Sequence, residues 1–237
     1  MDDATSRDKK SVRGRVGRPR ANPRPVEHPP EEEILSVAGR LFAQKGFAGT
    51  STREIAEGAG LRQPSLFHYY PRKERILEAL LERMGKQGLK VTAALQALPA
   101  PAAAKLYRLV HQDVLSICEA PDPVAAIMFL PEVQPPNFPD FWNANRQLQD
   151  FTRTLVSRGV QEGDLACEDV ELAAHALQGM INGVLTWQPQ TDEGDAGKIP
   201  RTVADLVLRA LLADASKLET IRELGLSLPL IIPSGSA

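Results

Sequence analysis

Cysteine, aromatic residues and long apolar runs are all scarce in this sequence. Its 237 residues include two cysteines, Cys118 and Cys167, which form neither a C-x-x-C pair nor a zinc-binding spacing, and only 5% of the chain is aromatic. No apolar run approaches the roughly 20 residues of a membrane span. The basic N-terminus is not followed by the apolar core of an export signal. We therefore expect a soluble, cytoplasmic protein with free thiols, no resident metal or cofactor and no membrane contact.

The motifs of common enzymes are missing as well. The chain contains no H-E-x-x-H, no G-x-S-x-G and no phosphate-binding glycine loop. Of its four histidines, only His111 and His175 lie outside the stretches assigned below to nucleic-acid binding. Neither has an identifiable nucleophile as a partner, so we predict that the protein is not an enzyme.

Charge is distributed unevenly along the chain. The formal net charge is −2, yet residues 9–75 carry 14 Lys and Arg against 7 Asp and Glu, whereas residues 76–237 carry 13 against 20. A basic front half on an acidic body favours a nucleic-acid partner for the front half. Within it, Gly17-Arg18-Pro19-Arg20 resembles an AT-hook core, so we expect Arg18 and Arg20 to enter a minor groove from a disordered arm. A merely solubilising tail is the alternative.

Residues 50–73 predict two short helices joined by a tight turn. Ser51 and Glu54 have the spacing of a capping box, which starts a helix. Gly60 can adopt the left-handed conformation that ends it, and Pro64 suits the first turn of the next helix. The pattern is that of a helix-turn-helix, with residues 62–69 as the helix that would enter a major groove.

The side chains of this stretch suit DNA. Gln63 can bond bidentately to an adenine edge, and Pro64 or Ser65 can contact a thymine methyl group. Thr52, Tyr69 and Lys73 are suited to phosphates, which fix position without reading sequence. An ordinary helical hairpin with a solvated polar face is the alternative. The predicted contacts are Arg18, Arg20, Ser51, Thr52, Arg53, Arg62, Gln63, Pro64, Ser65, Phe67, His68, Tyr69 and Lys73.

The same stretch resembles the DNA-binding half of the TetR family of bacterial repressors, which typically read T-T-R-x-I-A-x-x-A-G-V-x-x-x-T-L-Y-x-Y-F-x-x-K-E. The matching positions here are Ser51, Thr52, Arg53, Ile55, Ala56, Ala59, Gly60, Leu61, Ser65, Leu66, Phe67, Tyr69, Tyr70, Lys73 and Glu74. Phe67 stands where the family usually has Tyr, so a phosphate bond from that hydroxyl is absent. The resemblance implies a ligand-responsive repressor that binds a palindromic operator as a homodimer and is released by a small-molecule effector.

Apolar residues at helical spacing and the lack of alternating strand patterns predict an all-α protein. The resemblance implies an N-terminal three-helix helix-turn-helix domain followed by a larger helical ligand-binding and dimerisation domain. We place the disordered arm at residues 1–28, the DNA-binding domain at 29–75, the effector-binding and dimerisation domain at 76–227 and a flexible tail at 228–237.

Two further sites follow from the resemblance. In the family the last two long helices pair with their copies, and the predicted dimer interface is Ala176, Gly179, Met180, Gly183, Val203, Leu206, Val207 and Ala210. The family's body usually encloses a ligand cavity, for which the candidates are Tyr107, His111, Cys118, Met128, Phe129, Phe141, Trp142, Met180 and Trp187. Both sets could instead be plain monomer core. A DNA-binding scaffold whose body recognises a protein, without a small-molecule effector, is the alternative function.

Overall fold

The protein is all-helical, as predicted. The structure is a computed structural model and describes residues 29–119, 124–187 and 197–231. Within these ranges the α-helices are α1 Pro30–Lys45, α2 Thr52–Gly58, α3 Gln63–Tyr69, α4 Lys73–Ala97, α5 Ala102–Glu119, α6 Pro139–Gln161, α7 Val170–Trp187, α8 Lys198–Leu211 and α9 Leu218–Ser227. Short 3₁₀ helices span Val124–Phe129, Pro131–Val133 and Ala215–Lys217. No helix in the described ranges is long and apolar enough to cross a membrane.

Local sequence signals set the ends of α2 and α3. The Ser51 N–H donates to Glu54 Oε2 over 2.9 Å and the Glu54 N–H donates to Ser51 Oγ over 3.2 Å, which completes the capping box. Gly60 has φ of 66°, a left-handed conformation that glycine adopts without strain. Pro64 lies in the first turn of α3, where its missing N–H leaves no hydrogen bond unmade. The predicted helix-turn-helix is therefore present.

The three N-terminal helices pack around a core that we call the N-terminal core. Its buried side chains are Ile34, Val37, Ala38, Phe42, Ile55, Ala56, Ala59, Leu66, Ile76, Leu77, Leu80, Leu81, Ile127, Val133 and Phe141. Ile127 and Val133 come from the segment that leads from α5 into α6, and Phe141 comes from the first turn of α6. The N-terminal core thus extends past the predicted boundary at residue 75 and includes residues that we had assigned to the body.

Helix α5 lies at the centre of the body, which comprises the rest of α4 and all later elements. Every residue from Ala102 to Val110 is buried, and α5 packs against α6, α7, α8 and α9. Tyr107 Oη donates to Asp205 Oδ1 over 3.1 Å, and Asp205 accepts two 2.9 Å bonds from Arg222. These polar contacts join α5, α8 and α9 inside the body.

Helices α4 and α6 approach each other closely at two glycines. A Cβ added at Gly85 would lie 2.9 Å from Ala144 Cβ, and one added at Gly88 would lie 2.8 Å from Leu148 Cδ1. Glycines in a helix interior lower its stability and can mark either a bend or a close helix contact. In the structure, Gly85 and Gly88 mark a close contact between α4 and α6.

The chain after α9 differs from the prediction of a flexible tail from residue 228. Arg108 donates hydrogen bonds to the carbonyl oxygens of Leu228 and Pro229. Gln112 donates to the Ile231 carbonyl over 2.7 Å and accepts from the Ile231 N–H over 3.1 Å. Residues 228–231 are therefore fixed along α5, because two buried polar side chains need them as partners. Residues 232–237 and the predicted arm, 1–28, lie outside the described residues.

Candidate nucleic-acid interface

Helix α3 is held by one buried side chain and presents most of the others to solvent. Leu66 is fully buried in the N-terminal core, whereas Phe67 and Tyr69 are 41% and 40% exposed. Pro64 and His68 are also exposed, and Gln63 and Ser65 are partly exposed. Large aromatic side chains left exposed beside polar ones are typical of a surface that contacts a partner.

A side-chain hydrogen bond joins α2 to α3 at this surface. Gln63 Nε2 donates to Thr52 Oγ1 over 2.8 Å. Each residue is the first of its helix, and each is partly buried. Gln63 and Thr52, which are both predicted to contact DNA, are therefore linked to each other by a hydrogen bond.

The polar groups of Ser51 form hydrogen bonds within the protein. Its hydroxyl and its N–H both donate to Glu54 Oε2, at 2.8 and 2.9 Å. The Lys45 ammonium, 2.7 Å from Glu54 Oε1, and then the Ser51 donors lower the pKa of Glu54 to about 2. The prediction that Ser51 contacts DNA has to be corrected for the hydroxyl, because its proton is already engaged in the helix cap.

Lys73 also differs from its predicted role as a phosphate ligand. Its Nζ donates to the carbonyl oxygens of Phe47 and Thr50, both over 2.7 Å, and lies 4.2 Å from the centroid of the Phe47 ring. An ammonium has three donors, and two of them satisfy backbone carbonyls here. Lys73 therefore ties the first turn of α4 to the connection between α1 and α2.

The arginines around α3 remain available. Arg53 pairs with Glu57 over 2.8 Å, but both side chains are mostly exposed, so the pair is weak and can exchange for a phosphate. Arg62 and Arg72 are exposed and have no ion pair among the described residues. Arg18 and Arg20 lie outside the described residues.

The eight pocket candidates whose side chains the structure describes do not converge on one cavity. Tyr107, His111 and Cys118 lie on α5, with Tyr107 fully enclosed by α8 and α9. The His111 ring stacks on Tyr107 at a centroid distance of 6.3 Å, and burial followed by the Arg108 charge lowers its pKa. Burial raises the pKa of the Cys118 thiol. These three lie in or around the apolar cluster that α5 forms with α6, α7, α8 and α9, which we call the body core.

The remaining candidates lie elsewhere. Phe141 is buried in the N-terminal core and Met128 and Trp142 pack against it, with Trp142 Nε1 donating to the Val133 carbonyl over 2.8 Å. Phe129 and Met180 are exposed on the surface. The side chain of Trp187 lies outside the described part of the chain. The eight described side chains therefore do not line one pocket as predicted. Helical spacing alone does not show which core a side chain joins.

Asp113 is a candidate that sequence reasoning missed. It lies on the face of α5 that also carries buried Leu106 and Leu109. Burial raises the pKa of its carboxyl group from an ordinary 3.8 to about 7, although part of the side chain is accessible. Its one sequence signal is an acidic residue among apolar neighbours at helical spacing. A carboxyl group in such surroundings can bind a hydrogen-bond donor or a cation.

The eight predicted interface residues fall into two groups, one buried in the body and one on its outward face. Val203 and Val207 are 6% and 3% exposed and pack in the body core of their own chain, so their assignment to the interface is wrong. The outward face of α7 and α8 instead carries the other six, to which Leu172 is added: Leu172, Ala176, Gly179, Met180, Gly183, Leu206 and Ala210. Leu172 and Leu206 are 67% and 52% exposed. We call this set the outer face.

The fold and the exposed α3 define a helix-turn-helix protein with a helical body, and comparisons with known proteins agree. A family model described as "Bacterial regulatory proteins, tetR family" matches residues 34–80. A second, described as "Tetracyclin repressor-like, C-terminal domain", matches residues 99–211. The chain belongs to the TetR family and is a DNA-binding transcriptional regulator. Its relatives are regulators rather than enzymes.

Individual relatives are distant. The chain is 26% identical to the HTH-type transcriptional repressor KstR2 of Rhodococcus jostii over 167 residues, which cover 65% of this chain and 78% of that protein. Other curated regulators match over 49 to 73 residues, or 24 to 34% of their own length. Among solved structures, AmtR of Mycobacterium smegmatis is 28% identical with a TM-score of 0.71, covering 88% of this chain and 99% of that one. AibR, solved with isovaleryl coenzyme A and operator DNA, shares the fold at 20% identity and a TM-score of 0.67, covering 78% of this chain and 98% of that one.

Proposed function

We propose that this regulator is a ligand-responsive repressor that binds a palindromic operator as a homodimer and leaves the DNA when a small-molecule effector binds its body. The observation that carries the proposal is the exposed surface of α3, held on an N-terminal core that continues into the body. Such a protein would act in the cytoplasm, where bacterial operators lie.

In this proposal α3 enters the major groove. Gln63 reads an adenine, while Pro64, Ser65, Phe67 and His68 pack against neighbouring base edges and sugars. Thr52, Arg53, Arg62 and Tyr69 contact phosphates, and Arg18 and Arg20 follow the adjacent minor groove. Ser51 and Lys73 are left out of the direct contacts, because the Ser51 hydroxyl proton and two of the three Lys73 ammonium donors are engaged within the protein.

The outer face supports the homodimer. An isolated Leu206 on the surface would mean little, but here it lies among small and apolar residues of α7 and α8. A Cβ added at Gly179 meets no atom within 4 Å, so a second helix can approach closely there. Two copies related by a two-fold axis would read two half-sites roughly 34–36 Å apart.

Two connections support coupling between body and α3. Lys73 fixes the start of α4 to the α1–α2 connection, so a movement of α4 displaces the helix-turn-helix. The segment before α6 contributes Ile127 and Val133 to the N-terminal core, the first turn of α6 contributes Phe141, and Val124 packs against Gly39 of α1. An effector that shifts α4 or α6 would therefore move α3 out of register with its half-site.

The effector site is proposed to lie in the body, beside Asp113 of α5. The apolar surroundings of that carboxyl group favour an apolar molecule with one hydrogen-bond donor or positive charge. AibR is a relative in fold that was solved with an acyl coenzyme A, but its ligand is not transferred to this chain at 20% identity.

The test of the proposed function is selection of duplexes from a random pool by the full-length protein, followed by anisotropy titration on the selected duplex. A palindromic sequence bound at least 10³-fold more tightly than scrambled DNA is expected. Compounds that raise the melting temperature are then added to the complex. Release of DNA supports a ligand-responsive repressor, whereas compounds that stabilise the protein without releasing DNA would contradict it.

A further inference from the structure

A hydrogen bond between Thr52 and Gln63 fixes the relative orientation of two side chains on the proposed DNA-binding surface. Gln63 Nε2 donates to Thr52 Oγ1 over 2.8 Å, and it links the first residue of α2 to the first residue of α3. Both side chains are partly buried, so water competes with this bond less than it would on an open surface. The orientation of the Gln63 amide is therefore set before any DNA arrives.

The chemistry of an amide explains what this orientation can achieve. A glutamine amide has one oxygen and two N–H groups. Bidentate recognition of adenine uses the oxygen and the N–H on the same edge, which meet the adenine N6 amino group and N7. The second N–H is not needed for that contact. A hydroxyl oxygen that accepts the second N–H leaves the reading edge complete and restricts its rotation.

Thr52 keeps a donor of its own in this arrangement. Its oxygen accepts from Gln63, while its hydroxyl proton is free to be donated. Among the described residues, no hydrogen bond donated by this hydroxyl occurs. A phosphate oxygen is the acceptor that DNA would offer at the start of α2, next to the exposed Arg53.

We propose that Thr52 is the positioning residue for Gln63, and that it links a backbone phosphate to the base that Gln63 reads. Phosphate contacts carry no sequence information themselves, but this one would do so through Gln63. Consecutive hydrogen bonds polarise one another, so the phosphate–Thr52 bond, the Thr52–Gln63 bond and the bidentate Gln63–adenine contact would strengthen one another. The inference rests on the proposed function, since Gln63 has to face a base.

The experiment uses the full-length protein and the duplex selected by the unmodified chain. Gln63→Ala first identifies the base pair in each half-site at which discrimination is lost. Thr52→Val removes the hydroxyl and keeps the side-chain shape, and Thr52→Ser is the matched control that keeps the hydroxyl. Thr52→Ala is a second hydroxyl-free variant in case valine lowers the melting temperature. Each is titrated on the selected duplex, on the duplex changed at that base pair, and on scrambled DNA.

The expected result is a roughly 3- to 10-fold loss of discrimination at that base pair for Thr52→Val, and little change for Thr52→Ser. In the Gln63→Ala background, Thr52→Val should have no further effect on discrimination. An equal loss of affinity on all three duplexes would overturn the inference and leave Thr52 as an ordinary phosphate contact. Unchanged discrimination would overturn it as well. If the unmodified protein selects no sequence at all, the proposed function itself has failed.

Discussion

Lys73 donates a 2.7 Å hydrogen bond from Nζ to the carbonyl oxygen of Thr50, 23 residues earlier in the chain. A second bond of equal length reaches the Phe47 carbonyl, and the ammonium lies over the Phe47 ring. Lys73 is the first residue of α4 and Thr50 directly precedes the N-cap of α2. The side chain therefore connects the helix that leaves the N-terminal unit to the helix that begins the helix-turn-helix.

Replacing Lys73 by Met tests this connection. Met keeps an apolar stem over Phe47 but removes the Lys73 donor from two carbonyl oxygens, of which only that of Phe47 keeps a bond from the Thr50 N–H among the contacts of this turn, so the unfolding free energy should fall by about 1–3 kcal/mol. Arg72→Met at the exposed neighbouring position is the control, with an expected change within about 0.5 kcal/mol. Urea unfolding measures both variants. Normal stability combined with a salt slope of DNA binding reduced by about one unit would show that Lys73 is a phosphate ligand after all.

Leu206 and Val207 are neighbours with opposite predicted effects. Leu206→Glu places a charge on the outer face, so it should convert a dimer to a monomer while the melting temperature of the monomer changes little. Val207→Ala removes about two methylene-sized groups from the body core and should lower stability by roughly 2 kcal/mol without changing subunit number. Light scattering and thermal melting separate the two effects. A monomeric unmodified protein at micromolar concentration would contradict the proposed dimer.

How much of this could be predicted from sequence depends on the range of each signal. The start of α2 follows from Ser51 and Glu54, and the turn follows from Gly60, because their partners lie within a few residues. Phe141 belongs to the N-terminal core although it lies about 65 residues past the predicted boundary, and no local pattern reports that contact. Local chemistry was predictable, whereas the assignment of apolar residues to one core or the other was not.

Lys73 in the DNA-binding domain and Leu206 and Val207 in the body illustrate the same limit. That Lys73 donates to two carbonyl groups depends on a turn 23 to 26 residues away. Val207 and Leu206 both belong to an amphipathic pattern, and only packing against α5 separates the core residue from the surface one. The helix-turn-helix motif was sufficient to recognise the family, whereas the partners of individual side chains depend on contacts between residues far apart in the chain.

Asp113 should make stability depend on pH. Burial raises the pKa of its carboxyl from 3.8 to about 7 in the folded chain, so the folded state holds a proton that the unfolded state releases. The contribution to stability is full below the unfolded pKa of 3.8 and is lost as pH rises through about 7. Asp113→Asn should therefore be more stable than the unmodified protein at pH 8, with little difference at pH 4.

Urea unfolding between pH 4 and pH 8 measures this difference for Asp113→Asn. Glu168→Gln, at an exposed position between α6 and α7, is the control and should run parallel to the unmodified protein. Parallel curves for Asp113→Asn would mean that the Asp113 carboxyl is solvated in the folded chain. That result would remove it from the proposed effector site.

The segment after α9 should be part of the fold up to Ile231. Truncation after Ile231 is expected to leave the melting temperature unchanged. Truncation after Ser227 removes the backbone partners of Arg108 and Gln112, both about 5% exposed, and should lower stability by about 1–3 kcal/mol. For a chain of this size that corresponds to a melting temperature lower by roughly 3–10 °C. Equal melting of both truncations would show that residues 228–231 contribute nothing.

The contact between α4 and α6 should control DNA binding through Gly85 more than through Gly88. Helix α4 has 25 residues and is roughly 37 Å long, so a small tilt at the α6 contact displaces its N-terminal end appreciably. A Cβ at position 85 would lie 2.9 Å from Ala144 Cβ, and neither atom can rotate away. A Cβ at position 88 meets the end of the Leu148 side chain, which can change rotamer.

Gly85→Ala should therefore push α4 away from α6, whereas Gly88→Ala should be accommodated locally. Each alanine gains about 1 kcal/mol of helix propensity, against about 1–3 kcal/mol of overpacking where no side chain can yield. Gly85→Ala is expected to change affinity for the selected operator severalfold with modest loss of stability, and Gly88→Ala to bind as the unmodified protein does. Anisotropy titrations and melting curves of the two variants decide this. Unchanged operator affinity in Gly85→Ala, despite a changed melting temperature, would mean that the α4–α6 separation does not set the position of α3.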